Sequence, residues 1–203
     1  MNAIIPRYEF RAFAQNYGLV ENKIRSLSPC ERYRESREIY ILSADNKENN
    51  TKIRDDRMDI KVLEKRKQGL ELWSPRMKGD FPMDVETMSD EVFPALGVAS
   101  HQLNRSSYSL EQFLNEVIQN HRDLSAAQVS KYRFGFTVNG CITEIAQLLV
   151  NGAAIRTVAV ESEDPEAVLQ TKEILGLCEY ENTSYPLAIK RIIGMEPLPV
   201  WYT

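Results

Sequence analysis

The sequence predicts an α+β fold: an antiparallel β-barrel with a polar interior and flanking helices, forming one domain over residues 1–203. Three observations carry this expectation. Segments that alternate charged and apolar residues recur along the chain, and each places its charges on one strand face. Asn139-Gly140 and Asn151-Gly152 are strong hairpin signals, linking three late strands into an antiparallel meander. Cations and carboxylates recur on polar faces far apart in the chain, and a closed barrel is the simplest container for several polar-faced strands.

Taken in order, Ala3 to Phe13 reads as a strand with Arg7, Glu9 and Arg11 on one side and Tyr8, Phe10 and Ala12 on the other. Ala14 to Leu27 has helical spacing at Val20, Ile24 and Leu27, and Ser28-Pro29 ends it. Arg37 to Ser43 is rich in β-formers. Lys52 and Arg54 then share a face of a short strand, Asp55 to Met58 supplies a turn, and Lys61 and Lys65 share a face of the next strand. Gln68-Gly69 turns the chain into Leu70 to Ser74, Pro75 to Pro82 reads as irregular, and Asp84 to Leu96 reads as a helix containing Pro94. Gly97 to Ser107 is a strand or loop. Ser109 and Gln112 form a capping box ahead of the apolar stripe Leu110, Phe113, Leu114, Val117 and Ile118. The meander covers Gln128 to Val138, Cys141 to Val150 and Ala153 to Glu163. Its first strand puts Lys131 and Arg133 on one face, its second carries Glu144, and its third aligns Thr157, Ala159, Glu161 and Glu163. The two small residues leave room in front of the acids. Asp164-Pro165-Glu166 opens a helix, and Ser184 to Gly194 is the last one.

A chain of 203 residues suits one domain with a sizeable core, or at most two small ones. The net charge of −4 does not call for nucleic acid or an acidic membrane surface, so any anion site must be local. Cys30, Cys141 and Cys178 are widely spaced, lack a CxxC pair and have only His101 and His121 as companions. That argues for reduced thiols in a cytoplasmic setting and against zinc. No stretch approaches the roughly 20 apolar residues of a membrane span.

The order Glu9-x-Arg11, Lys52-x-Arg54, Lys61, Lys65, Lys131-x-Arg133, Glu144 and Glu161-x-Glu163 running into a helix resembles the CYTH superfamily of triphosphate tunnel metalloenzymes. The resemblance spans nearly the whole chain, including the closing SYPLAI helix. It implies a tunnel barrel that holds a triphosphate between basic walls, with Mg²⁺ or Mn²⁺ on acidic strands. On that likeness Arg7, Arg11, Lys52, Arg54, Lys61, Lys65, Lys131 and Arg133 bind phosphate. Glu9, Glu144, Glu161 and Glu163 ligate the metal, and Glu9 and Glu161 carry the catalytic role. A triphosphate bears about four negative charges and needs fixed cations around it, while carboxylates beside it need a hard cation between.

The family's activities include hydrolysis of inorganic triphosphate, thiamine triphosphate and RNA 5′-triphosphates, and adenylyl cyclisation; its members are often dimers. One position departs from the family's ExExK strand. Arg7 stands where the first glutamate belongs, which reverses a charge, removes a metal ligand and adds a phosphate clamp. The leading expectation is a metal-dependent phosphohydrolase acting on a triphosphate-bearing small molecule. The alternatives are a non-catalytic polyphosphate or nucleotide-binding module, which Arg7 favours, an adenylyl cyclase, and a protein-interaction domain. The acids also have structural readings: Glu9 neutralised by its neighbouring arginines, Glu144 paired with Lys131 or Arg133, and Glu161 and Glu163 favouring the positive end of a helix.

Overall fold

The computed structural model describes residues 5–99 and 103–198. Ala3 and Ile4 of the expected first strand, His101 and the tail through Trp201 lie outside the described residues. Eight strands close into an antiparallel barrel in the order β1-β10-β9-β8-β2-β3-β4-β5. They are β1 (Arg7–Ala14), β2 (Arg32–Ser43), β3 (Asn49–Arg54), β4 (Arg57–Lys67), β5 (Leu70–Asp80), β8 (Leu124–Val138), β9 (Cys141–Val150) and β10 (Ala153–Ser162). The short strands β6 (Met83–Asp84) and β7 (Ser107–Tyr108) pair separately.

Five helices flank the barrel. Helix α1 is Leu19–Leu27, α2 runs through Val85–Thr87, Met88–Val92 and Phe93–Leu96, α3 joins Leu110–Gln112 to Phe113–Ile118, α4 is Pro165–Leu175 and α5 is Tyr185–Ile192. No helix among the described residues is long and apolar enough to cross a membrane.

The described residues fall into two compact units. One holds those up to Ser36, Leu63–Ser74 and Ser130–Ser184; the other holds Arg37–Val62, Pro75–Val129 and those from Tyr185 on. In the first, the even positions of β1 (Tyr8, Phe10, Ala12) pack with Val158, Val160 and Ile145 of the sheet, Val20 and Ile24 of α1, and Val168 and Leu175 of α4. The odd positions therefore face away from the helices. In the second, Ile41, Ile53, Met58 and Ile60 pack with Met88, Val92 and Phe93 of α2 and Phe113, Val117 and Ile118 of α3. The opposite face of β2, β3 and β4 carries the charges.

Several boundaries differ from the sequence expectation for identifiable reasons. The β3–β4 turn contains only Asp55 and Asp56, both at positive φ (52° and 56°), so Arg57 and Met58 join the strand. Short acids tolerate the left-handed region that such a tight turn requires. Strand β5 continues through Pro75 to Asp80, where an irregular segment was expected. Proline is admissible there because β1 pairs with β5 only over Glu71, Leu72 and Trp73, leaving the later part without that neighbour. Helix α2 keeps Pro94 in the first turn of its last α-helical segment, after a π-helical stretch, where a missing amide hydrogen does little harm. The Ser109–Gln112 capping box forms as the spacing predicts. Strands β2 and β8 begin five and four residues earlier than expected, at Arg32 and Leu124; the start of β2 is exposed on both faces, whereas β8 opens on the buried Leu124 and Ala127.

Candidate functional site

In the first unit the polar face of β1 meets that of β10 and β5 in register: Glu9 lies opposite both Glu161 and Glu71, and Arg11 lies opposite Ala159, which in turn faces Glu144. Directly opposed residues share a face, so four carboxylates and one guanidinium are gathered on neighbouring strands. Arg11 is 4% exposed. Its Nε stands 2.5 Å from Glu9 Oε1, its Nη1 3.2 Å from Glu144 Oε1 and its Nη2 3.8 Å from Glu161 Oε1. The room left by Ala159 and Thr157 is filled by this side chain, whose Nη1 also reaches Thr157 Oγ1 at 3.5 Å. The Arg11 backbone is pinned from outside the sheet. Its amide donates to Asn182 Oδ1 at 2.8 Å and its carbonyl accepts from the Thr183 amide at 2.7 Å.

Glu71 was not anticipated as a site residue, although the alternation Leu70-Glu71-Leu72 already placed it opposite the apolar face. Its carboxyl titrates above the ordinary glutamate value, chiefly because burial penalises the charged form, with the nearby Glu9 charge adding to the effect. Hydrogen bonds from Trp73 Nε1 (3.1 Å) and Arg66 Nε (3.3 Å) oppose the rise. The folded state therefore holds this proton in a window starting near the ordinary 4.5, and stability falls as pH climbs through the window. Glu71→Gln is expected to raise the melting temperature at pH 7.5, with the gain vanishing at about pH 4. Thermal melts at the two pH values read this directly, and a gain of equal size at both would contradict the assignment.

The second unit carries the cations. Lys52 and Arg54 of β3 lie opposite Asp59 and Arg57 of β4 and opposite Tyr40 and Glu38 of β2. Lys61 lies opposite Asn50 on the same face. The Glu38 side chain is fully buried, 3.3 Å from Lys52 Nζ and 3.8 Å from Arg54 Nη1, and Asp59 stands 3.6 Å from Arg54 Nη2. Lys61 makes no ion pair with a described residue. Lys52, Arg54 and Lys61 thus share the face with two carboxylates, while Arg57, opposite Arg54, is paired with Asp80. Burial pulls the Lys52 ammonium below its ordinary value, opposed by Glu38 and Asp59 and reinforced by Arg54 and Lys61. Glu38 and Asp59 were not anticipated as site residues: Glu38 reaches this face only through the pairing of β2 with β3, and Asp59 shares its side of β4 with Lys61.

On β8 Lys131 is 2% exposed, and Arg133 donates from Nη2 to Ser36 Oγ at 3.3 Å while its buried Nε has no hydrogen-bond partner among the described residues. Three anticipated site residues stand apart from the carboxylates of their own unit. Arg7 is exposed at the start of β1, opposite Trp73. Lys65 is exposed, its ammonium 5.5 Å from the ring of Tyr8, a residue on the helix-packed face. A cation over a π face has a local partner that needs no phosphate. Glu163 is exposed beyond the end of β10, beside the α4 N-cap Asp164.

Carboxylate oxygens are the donors that Mg²⁺ or Mn²⁺ prefer. In this arrangement, however, Glu9, Glu144 and Glu161 close on Arg11. Among the described residues no group of three or more His, Cys, Asp or Glu is disposed to hold a metal ion. Arg11 stands at the centre that a divalent cation would need.

No protein-family model matches the chain, and no curated protein sequence does either. Solved structures do. A proposed adenylyl cyclase from Hippeastrum, described as having a dominant triphosphatase activity, matches at TM-score 0.50 with 13% identity over 95% of this chain and 98% of its own. A conserved hypothetical protein from Pyrococcus furiosus matches at 0.48 with 16% identity over 89% and 98%. A proposed adenylate cyclase from Bacillus halodurans matches at 0.49 with 8% identity over 90% and 97%. At these identities the likeness is one of fold.

Proposed function

We propose that this closed antiparallel barrel, whose fold is that of the CYTH-like triphosphate tunnels, binds a small molecule carrying a linear triphosphate: tripolyphosphate, thiamine triphosphate or a nucleotide. The observation that carries the reading is the cation surplus on the polar face of β3 and β4. Lys52, largely removed from water and already depressed in its titration, stands with Arg54 and Lys61 against only two acids. Crowded cations of this kind are relieved by a polyanion, and charge-assisted hydrogen bonds to phosphate oxygens are the strong ones.

Hydrolysis of the bound triphosphate is the second reading. The gathering of Glu9, Glu144 and Glu161 on neighbouring strands favours it, since carboxylate oxygens are the donors that Mg²⁺ or Mn²⁺ prefer. The activity described for the Hippeastrum protein is of this kind. A divalent cation there would polarise a phosphoryl group and activate water, and it competes with Arg11 for Glu9, Glu144 and Glu161. In the purely binding reading Arg11 keeps those carboxylates.

Calorimetric titration with tripolyphosphate, followed by phosphate release with and without Mg²⁺ or Mn²⁺, tests both. Micromolar binding is the expected result. Metal-stimulated release adds hydrolysis, and cyclic AMP with pyrophosphate from ATP would turn the second reading into cyclisation. Absence of binding to tripolyphosphate, thiamine triphosphate and ATP alike would end the proposal.

A further inference from the structure

Strand β1 pairs with β10 from Tyr8 to Ala14, but β5 accompanies it only as far as Glu9. Beyond that point the second edge of β1 needs hydrogen-bond partners that β5 does not supply. The segment between α4 and α5 supplies them at Arg11. The Asn182 carboxamide accepts from the Arg11 amide at 2.8 Å and donates to the Gly69 carbonyl at 2.7 Å and to the Glu9 carbonyl at 3.4 Å. Continuing the register of Glu9 with Glu71 would put Gly69 opposite Arg11, so this side chain spans the gap as a peptide unit of a missing strand would. The Thr183 amide then donates to the Arg11 carbonyl at 2.7 Å. Both main-chain polar groups of Arg11 thus end on two consecutive residues.

That pair is itself held in place. Gly176 ends α4 in the left-handed region (φ 74°), which turns the chain back toward the sheet. Leu177 enters the core of the unit, the Tyr180 ring lies 5.3 Å from that of Tyr17, and Thr183 is buried. Among the described residues the hydrogen bonds of Asn182 go only to main-chain atoms, so it reaches the carboxylates through the backbone of Arg11 and not by direct contact. The Arg11 guanidinium is the shared partner of Glu9, Glu144 and Glu161. Where its stem leaves the strand decides which of them it meets, and such constellations depend on the groups that support them from behind.

We infer that Asn182 is a positioning residue: with Thr183 it fixes the Arg11 backbone where β5 has left β1, and thereby keeps the guanidinium seated between Glu9, Glu144 and Glu161.

The test compares the wild type with Asn182→Ala and with Val138→Ala, which removes core packing on β8, a strand that pairs with neither β1 nor β5. The first readout is exchange of the Arg11 Nε proton with water, followed by nuclear magnetic resonance, since that nitrogen stands 2.5 Å from Glu9 Oε1. Asn182→Ala is expected to speed the exchange at least about tenfold, and Val138→Ala to lower the melting temperature while leaving the exchange within about twofold. The second readout is melting in millimolar Mg²⁺. Asn182→Ala is expected to gain about 3–6 °C as the carboxylates lose their seated cation, and the other two proteins almost nothing. Unchanged exchange in Asn182→Ala, or equal acceleration in Val138→Ala, overturns the inference. The metal arm rests on the second functional reading above, whereas the exchange arm does not. Faster exchange in Asn182→Ala alone, without a gain from Mg²⁺, therefore upholds the positioning role and counts against a divalent cation at these carboxylates. If the alanine variant does not fold, Asn182→Ser, which keeps a hydroxyl in the gap, takes its place with the same expected order.

Discussion

Arg11→Met is expected to destabilise the protein by about 2–4 kcal/mol, because it leaves carboxylates that are mostly removed from water without their shared counter-charge. Glu9, Glu144 and Glu161 retain side-chain exposures of 24, 22 and 28%, so water relieves part of the penalty and the lower half of that range is the better guide. For a chain of this length the loss corresponds to a fall in melting temperature of roughly 5–12 °C. Methionine keeps the alkyl bulk over Ala159 and Thr157, so the effect reports charge more than packing. The same variant separates the two functional readings. With the guanidinium gone, the three carboxylates lose the cation they share and offer hard oxygens, and millimolar Mg²⁺ or Mn²⁺ is expected to restore part of the lost stability in the variant while barely moving the wild type. A variant as stable as the wild type, or a metal effect equal in both, would show that Arg11 does not hold this cluster together.

Lys52→Met is expected to weaken tripolyphosphate binding by about 10–150-fold, the range for one lost hydrogen bond between charged groups. The substitution also takes the counter-charge at 3.3 Å from the fully buried Glu38, so stability falls as well. Lys52→Met/Glu38→Leu removes that complication. The double variant is expected to recover stability and not affinity, which separates a binding role from a structural one. Wild-type affinity carries a further signature. Because burial holds Lys52 below the ordinary 10.5, affinity is expected to fall with rising pH at a lower pH than for an exposed lysine. Titrations at a series of alkaline pH values read this fall. Unchanged affinity in both variants would remove Lys52 from the site.

The strand pattern was legible because alternation is a local property. Tyr8, Phe10 and Ala12 against Arg7, Glu9 and Arg11 fixes which face of β1 meets helices before any partner is known. The Asn-Gly turns likewise set the β8–β9–β10 meander, with Asn139 and Asn151 at positive φ. What stayed hidden depends on pairing between distant strands. Nothing near Glu9 in the chain says that Glu71 and Glu161 will lie opposite it, or that Arg11 will fill the space above Ala159. Small residues at 157 and 159 read equally as room for a ligand and as room for a long side chain from β1, and the structure chose the latter.

The most direct measurement is a crystal structure of the protein with tripolyphosphate. Phosphate oxygens within hydrogen-bonding distance of Lys52 Nζ and the Arg54 guanidinium, with Lys61 turned toward the same chain, are the predicted result. Phosphates confined to exposed side chains such as Lys67, with Lys52 still paired only to Glu38, would contradict it.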